Sequence, residues 1–311
     1  MKNSVYTVGS RQSDLAMVQT QWALQGLQIP TAIRQIISTG DRVLDRPLSE
    51  VGGKGAFCRE LEQALLASEV DCVIHSAKDV PTQIEPGTTL LGCVWQRGDR
   101  RDCVLSAYGH ISQIPSYSRV GTSSARRAAQ FKLLRPDVDV VTLRGNIGTR
   151  LKKLINGEYS AILMAECAVQ RLHLLDTVNN WNHPTWSGQH WCLDPQLMLP
   201  AAGAGCVVVQ IRERDQRSWD LWQPFLLPKE TVELWCERAV LAGINGDCDT
   251  AAGVVAQVNN HTVRIQAGWW DQDIWWQAEA ESAVKDWKTC VNQVVQKLWA
   301  HTTQNPPKNT Q

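Results

Sequence analysis

Apolar and polar positions in the first third of the chain predict strands and helices in alternation. The apolar runs at 5–8, 32–37 and 72–74 have the length of buried strands. Between them, apolar residues recur at helical spacing in segments 15–22 and 57–65. Strands that alternate with helices are typical of a sheet covered by helices. We therefore expect an α/β unit at the start of the chain.

A second stretch of the same kind follows. Apolar strand-like runs occupy 103–105, 138–143 and 161–165, and Val120 marks a further short strand. Helical patterns separate these runs, as they do in the first stretch. The sequence therefore predicts a second α/β unit with the same alternation.

The last third of the chain has a different pattern. A helix is predicted at 230–241, and two apolar runs flank Asn259-Asn260 as in a β-hairpin. A third strand and an amphipathic helix at 283–299 complete a small α+β unit. The charged, proline-bounded segment 212–228 is typical of a linker.

Composition excludes some functions and favours an anionic ligand. Apolar residues form 43% and charged residues 20% of the 311 positions, and the formal net charge is zero. This composition is typical of a globular protein and argues against a nucleic-acid binder. Segment 97–150, however, holds nine Arg and one Lys against four Asp. Because arginine matches carboxylate and phosphate groups, this segment is expected to bind an anion.

The ten cysteines do not form a metal or disulfide pattern. No two of them make a C-x-x-C pair, and most lie in apolar runs, so we expect neither a zinc site nor a disulfide framework. Residues 1–10 lack the features of a secretory signal, and no apolar run has membrane-spanning length. These features predict a cytoplasmic protein with no membrane contact.

The strand at 72–74 ends where polar residues begin, and this end is a candidate active site. Lys78 and Asp79 follow the strand, and Pro81 has no backbone N–H with which to continue the hydrogen bonds of a sheet. Ligands of open α/β sheets bind outside the carboxyl ends of the strands. Asp79 is therefore the candidate reactive carboxylate, and a surface ion pair with Lys78 is the alternative.

Four further strand ends carry candidate anion sites. Arg11 and Ser13 lie between the first strand and its helix, although a plain helix cap would explain Ser13 equally well. Hydroxyl residues and paired arginines open the helix after Val120, and more arginines follow the next strands. We expect the following residues to converge on one rim: Arg126, Arg127, Arg144, Arg150 and Arg171.

Five motifs together resemble the porphobilinogen deaminase family, also called hydroxymethylbilane synthase. In order they are Gly9-Ser10-Arg11-Gln12-Ser13, Lys54-Gly55-Ala56-Phe57, His75-Ser76-Ala77-Lys78-Asp79-Val80-Pro81-Thr82, Gly121-Thr122-Ser123-Ser124-Ala125-Arg126-Arg127 and Leu143-Arg144-Gly145-Asn146-Ile147-Gly148-Thr149-Arg150. The resemblance implies an α/β fold of two periplasmic-binding-protein-like lobes with mixed sheets, plus a small α+β third domain. Domain 1 would be 1–95 with a return segment at 197–212, domain 2 would be 98–192, domain 3 would be 228–302, and 303–311 would be a frayed tail.

The resemblance also implies a reaction. Members of the family condense four porphobilinogen units, with loss of ammonia, into linear hydroxymethylbilane, starting from a covalently attached dipyrromethane cofactor. The match places the thioether to this cofactor on Cys248 and catalysis on Asp79, assisted by Lys78. Asp79 would stabilise the cationic azafulvene that remains when ammonia departs.

The resemblance further assigns binding roles. Besides Cys248, Lys78 and Asp79, cofactor binding is implied for Ser124, Arg126, Arg127, Arg144 and Gly145. Substrate binding is implied for Arg11, Ser13, Phe57, Thr122, Ser123, Arg150 and Arg171. The resemblance implies a monomer whose partner is the small molecule porphobilinogen, with no metal and no nucleic acid.

The chain departs from the family near the cofactor. Asp247 and Asp249 flank Cys248 where a Gly-Gly-Cys run followed by Val-Pro is usual, and Ala204 replaces a glutamine. Acidic neighbours disfavour the thiolate, which is the nucleophile. Two alternatives therefore stay open: a paralogue that binds a tetrapyrrole or its precursor with little turnover, and a two-lobed anion-binding protein without catalysis.

Overall fold

The structure is a computed structural model, and it describes residues 5–42, 55–174, 189–271 and 274–300. Its strands are β1 (Tyr6–Arg11), β2 (Thr31–Ile36), β3 (Cys72–Ser76), β4 (Thr88–Cys93), β5 (Asp102–Ser106), β6 (Arg119–Thr122), β7 (Asp139–Thr142), β8 (Ala161–Ala165), β9 (Gln189–Cys192), β10 (Val207–Arg212), β11 (Ala252–Asn259), β12 (Thr262–Asp271) and β13 (Ile274–Ala283). Its α-helices are α1 (Asp14–Leu24), α2 (Thr39–Arg42), α3 (Arg59–Leu66), α4 (Ala125–Leu134), α5 (Ile147–Ile155), α6 (Glu166–Arg171), α7 (Gln216–Trp222), α8 (Pro228–Gly243) and α9 (Trp287–Ala300).

Two five-stranded mixed sheets share one layout. The first has the order β2-β1-β3-β10-β4 and the second the order β7-β6-β8-β5-β9. In each sheet three strands are parallel, and one antiparallel strand, β10 or β5, lies between them and an edge strand. The chain crosses between the sheets after β4 and returns after β9, so each sheet receives its antiparallel strand from the crossing. The predicted α/β class with two mixed-sheet lobes is confirmed, and we call these sheets with their helices the first and second lobes.

The third unit is an antiparallel sheet with two helices. Strands β11, β12 and β13 pair in sequence order, and α8 and α9 pack against them around a buried apolar cluster. The predicted hairpin turn lies between β11 and β12, where Asn260 adopts a φ of 49°. Among the described residues, no helix has the length and apolarity needed to cross a membrane.

A buried charge network joins this third unit to the crossing segment after β4. Arg97 donates to Glu237 at 2.7 Å, and Arg100 donates to Glu233 at 2.6 Å. Glu237 is fully buried and also accepts hydrogen bonds from the backbone N–H groups of Gly203 and Ala256. Removal of one partner would leave a buried charge uncompensated, which is strongly destabilising. The network therefore fixes α8 relative to the first lobe.

The predicted linker at 212–228 is wrong in part, because it contains α7. Trp222 at the end of this helix is fully buried in the core of the first lobe. Its indole N–H donates to the Tyr6 hydroxyl at 3.1 Å, which in turn donates to Ser218 at 2.8 Å. The charged residues that suggested a linker lie on or beside the outer side of α7. Trp222, on the inner side of the same helix, completes the core.

We expect Trp222→Ala to lower the free energy of unfolding by about 3–5 kcal/mol, because it leaves a cavity and removes the hydrogen bond that the Tyr6 hydroxyl accepts. Trp219→Ala on the same helix is the matched control, since Trp219 is 40% exposed. Its effect should stay below about 1 kcal/mol. Denaturant unfolding of both variants provides the measurement, and equal losses would contradict the assignment of Trp222 to the core.

Candidate functional site

Asp79 lies at the carboxyl end of β3 and faces Arg11. It ends a short 3₁₀ turn, Ala77–Asp79, and its side chain is 32% exposed. A guanidinium nitrogen of Arg11 lies 3.6 Å from its carboxylate. Arg11 also makes two hydrogen bonds to Asp41, one of 3.0 Å and one of 2.5 Å, and lies over the ring of Phe57. One arginine thus joins two carboxylates at the end of the first sheet.

The charges of this group support one another. Burial opposes the charged form of Arg11, but the hydrogen bond to Asp41 and the charge of Asp79 raise its pKa. Burial likewise opposes ionisation of Asp41, and the hydrogen bonds from Arg11 and Ser38 lower its pKa instead. Arg11 is therefore the fixed cation beside Asp79. Sequence reasoning gave that place to Lys78, which lies half-buried in the same turn.

Behind Asp79 lies a buried neutral histidine. One ring nitrogen of His75 lies 2.9 Å from the Gln210 side-chain oxygen, and the other lies 3.8 Å from the Cys58 sulfur. Burial lowers the pKa of His75 to about 4, so the ring is uncharged at neutral pH. The Cys58 thiol donates to the backbone carbonyl of Asp79 at 3.3 Å. These contacts hold the turn that carries Asp79 in place. The sequence had indicated no role for His75 or Cys58.

The segment after Asp79 is fastened to the third unit. The guanidinium of Arg238 on α8 donates to the carbonyls of Val80 at 3.0 Å and Pro81 at 2.6 Å. The Asp247 carboxylate accepts from the backbone N–H of Thr82 at 3.1 Å. The loop between α8 and β11 is therefore held next to the turn that carries Asp79.

Cys248 lies in that loop and is exposed. The Asp247 carboxylate accepts a hydrogen bond from its backbone N–H at 2.9 Å. Partial desolvation, followed by the charges of Asp247, Asp79 and Asp249, raises the pKa of the Cys248 thiol to about 12. Of the ten cysteines, eight are buried and Cys192 is half-buried. Cys248 is thus the accessible thiol at the site, but it is strongly protonated at neutral pH.

Two of the predicted arginines bind a buried carboxylate of the second lobe. Asp102 at the start of β5 pairs with Arg126 at 2.5 Å and with Arg127 at 2.8 Å. Burial would raise the pKa of Asp102, but the two arginines lower it to about 2. Arg126 also donates to the carbonyl of Leu199 at 2.6 Å, so its donors are directed into the protein. The sequence gave no sign of this, because Asp102 and Leu199 are remote from the motif.

Arg150 lies among other cations, and near enough to Asp79 for their charges to interact. It donates from Nε to the carbonyl of Gly145 at 2.8 Å. Burial, together with the charges of Arg127 and Arg144, lowers the pKa of Arg150 to about 10, and the charge of Asp79 acts in the opposite sense. An anion bound beside these arginines would therefore be strongly favoured. This cluster, formed by Arg127, Arg144 and Arg150, is the part of the predicted rim that the structure brings together.

The predicted hydroxyl residues contact backbone groups near the same strand ends. Ser13 and Ser124 cap α1 and α4 by accepting from the N–H groups of Ala16 and Arg127, each at 3.4 Å. Thr122 accepts from the backbone N–H of Ser124, and Ser123 donates to the carbonyl of Leu143. These bonds fit the helix-cap interpretation.

Arg171 joins the two lobes. It lies at the end of α6 and donates to the carbonyl of Gly205 at 2.6 Å. Its guanidinium also lies 5.8 Å from the ring centre of Trp22 on α1. Arg171 thus contacts the first lobe, whereas the sequence placed it with the anion-binding arginines.

Comparison with known proteins gives a consistent result. The family model described as porphobilinogen deaminase, dipyromethane cofactor binding domain, matches residues 6–220. A porphobilinogen deaminase of Roseiflexus castenholzii is 39% identical over 262 residues, which cover 82% of each chain. That of Streptococcus sanguinis is 38% identical over 270 residues, which cover 85% of each chain.

Solved structures resemble the chain more weakly. A periplasmic VFT2 domain of BvgS from Bordetella pertussis has a TM-score of 0.41 at 11% identity, with 76% of this chain and 92% of that domain covered. An ancestral arginine-binding protein has a TM-score of 0.40 at 9% identity, with 72% and 91% covered. The sequence comparisons, with the five motifs and the α/β lobes, identify the chain as a member of the porphobilinogen deaminase family, whose members are transferases with a dipyrromethane cofactor.

Proposed function

We propose that this protein condenses four porphobilinogen units into hydroxymethylbilane, with loss of ammonia, in the cleft between the two lobes. One observation carries the proposal: Arg150 of the second lobe lies near two further cations, Arg127 and Arg144, and close enough to Asp79 of the first lobe for the two charges to interact. Porphobilinogen carries an acetate and a propionate, so a growing chain brings many carboxylates. Such a ligand supplies the negative charge that the arginine cluster favours.

The residues around Cys248 fit a covalent dipyrromethane. The thiol is exposed, and its loop is bonded to the segment that carries Asp79. When bound there, dipyrromethane supplies the free pyrrole position to which substrate is added. Cys248 would hold its first ring and Arg144 would bind its carboxylates, whereas Arg127 is already paired with Asp102. We also expect Ser124, Gly145 and Lys78 to contact this group.

Asp79 would serve the reaction through its charge. Loss of ammonia from porphobilinogen leaves a cationic carbon and a positively polarised pyrrole N–H. A fixed carboxylate can accept a hydrogen bond from that N–H and stabilise the cation. Arg11 and Asp41 hold the carboxylate in place without movement during the reaction. Arg11 and Phe57 would also border the incoming substrate.

One observation favours a second function. The raised pKa of Cys248 disfavours the thiolate that must attack during attachment of the cofactor. A paralogue that binds a tetrapyrrole reversibly, with little turnover, would tolerate this environment. The two functions differ in one respect, because only the first requires a covalent adduct.

We expect protein made in a porphobilinogen-producing host to carry an adduct equal to two porphobilinogen units less two ammonia. Intact mass and peptide mapping should place it on Cys248. Cys248→Ser should abolish the adduct, and Cys192→Ser should retain it, because Cys192 lies outside the site. Absence of the adduct, including after incubation with hydroxymethylbilane, would leave reversible binding as the function.

Asp79→Asn keeps the shape of the side chain and removes its charge. If the charge acts on a cation formed during the reaction, we expect ammonia release to fall by about 10²-fold or more. The covalent adduct measured by mass should persist when it is delivered as hydroxymethylbilane. Retention of most of the turnover would show that another group stabilises the cation.

Asp247→Asn removes a charge beside Cys248 while it keeps an oxygen that can accept from Thr82 and Cys248. The pKa of the thiol should fall, so the thiolate fraction at pH 8 should rise. We expect alkylation of Cys248 in the cofactor-free protein to become at least about threefold faster, since each pKa unit changes the thiolate fraction about tenfold. Asp286→Asn, at an exposed position of the third unit, is the control. An unchanged rate would show that Asp247 does not set the thiol pKa.

A further inference from the structure

A group of potential metal ligands lies in the second lobe, apart from the residues assigned to the reaction. One ligand atom from each of Cys103, Glu166 and His190 lies within 4.8 Å of the other two. The Nε2 atom of His190 lies 2.6 Å from the Glu166 carboxylate. Thiolate, imidazole and carboxylate are the three ligand types of protein-bound zinc. The three side chains thus combine suitable donors with a suitable separation.

A second thiol completes the set. Strands β5 and β9 are antiparallel, and Cys192 lies directly opposite Cys103 in their ladder. Directly opposed residues project to the same face of a sheet, as do residues two apart on one strand, such as His190 and Cys192. The Glu166 carboxylate also acts on the Cys192 thiol, so the two side chains are neighbours. A fourth donor therefore lies beside the three whose ligand atoms fall within 4.8 Å of one another.

The surroundings suit a bound cation with anionic ligands. Cys103 and Glu166 are buried, whereas the His190 side chain is 17% exposed and Cys192 is half-buried, so an ion has a route from solvent. The 2.6 Å contact between the Glu166 carboxylate and His190 already aligns two of the donors.

Two thiolates and a carboxylate around a divalent ion leave one net negative charge. Two nearby cations, Arg127 and Arg101, would partly balance this charge, although each is also paired with an aspartate.

We propose that Cys103, Glu166, His190 and Cys192 form a four-coordinate structural site for Zn²⁺. Binding would form two Zn–S bonds, one Zn–N bond and one Zn–O bond, and would release the two thiol protons to solvent. Zinc bonds of about 2.0–2.3 Å place tetrahedral ligand atoms roughly 3.3–3.8 Å apart. The ligand atoms of Cys103, Glu166 and His190 already lie within 4.8 Å of one another. Side-chain rotation has to lengthen the 2.6 Å contact between His190 and Glu166 and bring the Cys192 thiol to the same distance.

Bound zinc would stabilise the edge of the second sheet. Zinc would tie the edge strand β9 to β5 and to the first residue of α6, and Arg171 at the other end of α6 contacts the first lobe. With all four positions filled by protein, the ion would have no open position for substrate. The sequence expectation of no zinc site rested on the absence of C-x-x-C, whereas these two cysteines are brought together by strand pairing.

Cobalt titration of the reduced, chelator-treated protein tests the site. We expect one Co²⁺ per chain, with a thiolate-to-cobalt charge-transfer band and the visible bands of tetrahedral Co²⁺, both lost when Zn²⁺ is added. His190→Gln and Cys192→Ser should each weaken binding by at least about 100-fold, which exceeds the usual effect of groups that only orient ligands. Zn²⁺ should also raise the melting temperature of the wild-type protein but not of these variants.

Two control variants keep the four ligands. His261→Gln makes the same substitution at an exposed histidine of the third unit, and Cys248→Ser removes the exposed thiol. Both should bind Co²⁺ as the wild type does, and circular dichroism should show that every variant is folded. Absence of the thiolate band from wild-type protein would overturn the proposal, as would equal affinity in His190→Gln, Cys192→Ser and the controls. In either case Glu166 and His190 form an ion pair only.

Discussion

The fixed position of the Asp79 carboxylate is the constraint on which the site depends. Asp79 ends a turn that follows a buried central strand, and the Cys58 thiol donates a hydrogen bond to the backbone carbonyl of Asp79. Arg11 lies between this carboxylate and that of Asp41, so the charge is oriented before any ligand arrives. In a partly buried site such an oriented charge interacts more strongly with a developing cation than a mobile one would. The residues after Asp79 extend the same constraint to the third unit, because Arg238 and Asp247 bind the segment that ends at Thr82.

Most of the arginine excess in segment 97–150 is used within the protein. Arg97 and Arg100 neutralise glutamates of α8, and Arg126 and Arg127 neutralise Asp102. These pairs hold the third unit and the helix α4 in place. Arg150 differs, because burial and neighbouring cations lower its pKa. The composition predicted an anion site, but only a few of these arginines keep a charge that a ligand could meet.

The sequence predicted local features better than long-range contacts. Strand-length apolar runs and helical spacing gave the α/β class, and the Asn259-Asn260 hairpin was placed correctly. Helix α7 was missed because its charged outer face resembles a linker and Trp222 finds its partner, Tyr6, 216 residues away. The contacts of Arg126 with Asp102 and Leu199 were missed for the same reason. The polar, Gly-rich composition of segment 38–55 predicts a loop, of which 43–54 lie outside the described residues.

Asp247 shows why a departure from a family pattern needs a structural explanation. Its carboxylate disfavours the Cys248 thiolate, yet it also holds the loop by accepting from Thr82 and Cys248. The same residue would therefore slow attachment of a cofactor by disfavouring the thiolate, and would assist it by holding the loop in place. Whether the reaction is retained is decided most directly by product stoichiometry. The account predicts that cofactor-carrying protein releases four ammonia and one hydroxymethylbilane for every four porphobilinogen consumed. Binding of porphobilinogen without ammonia release would contradict it.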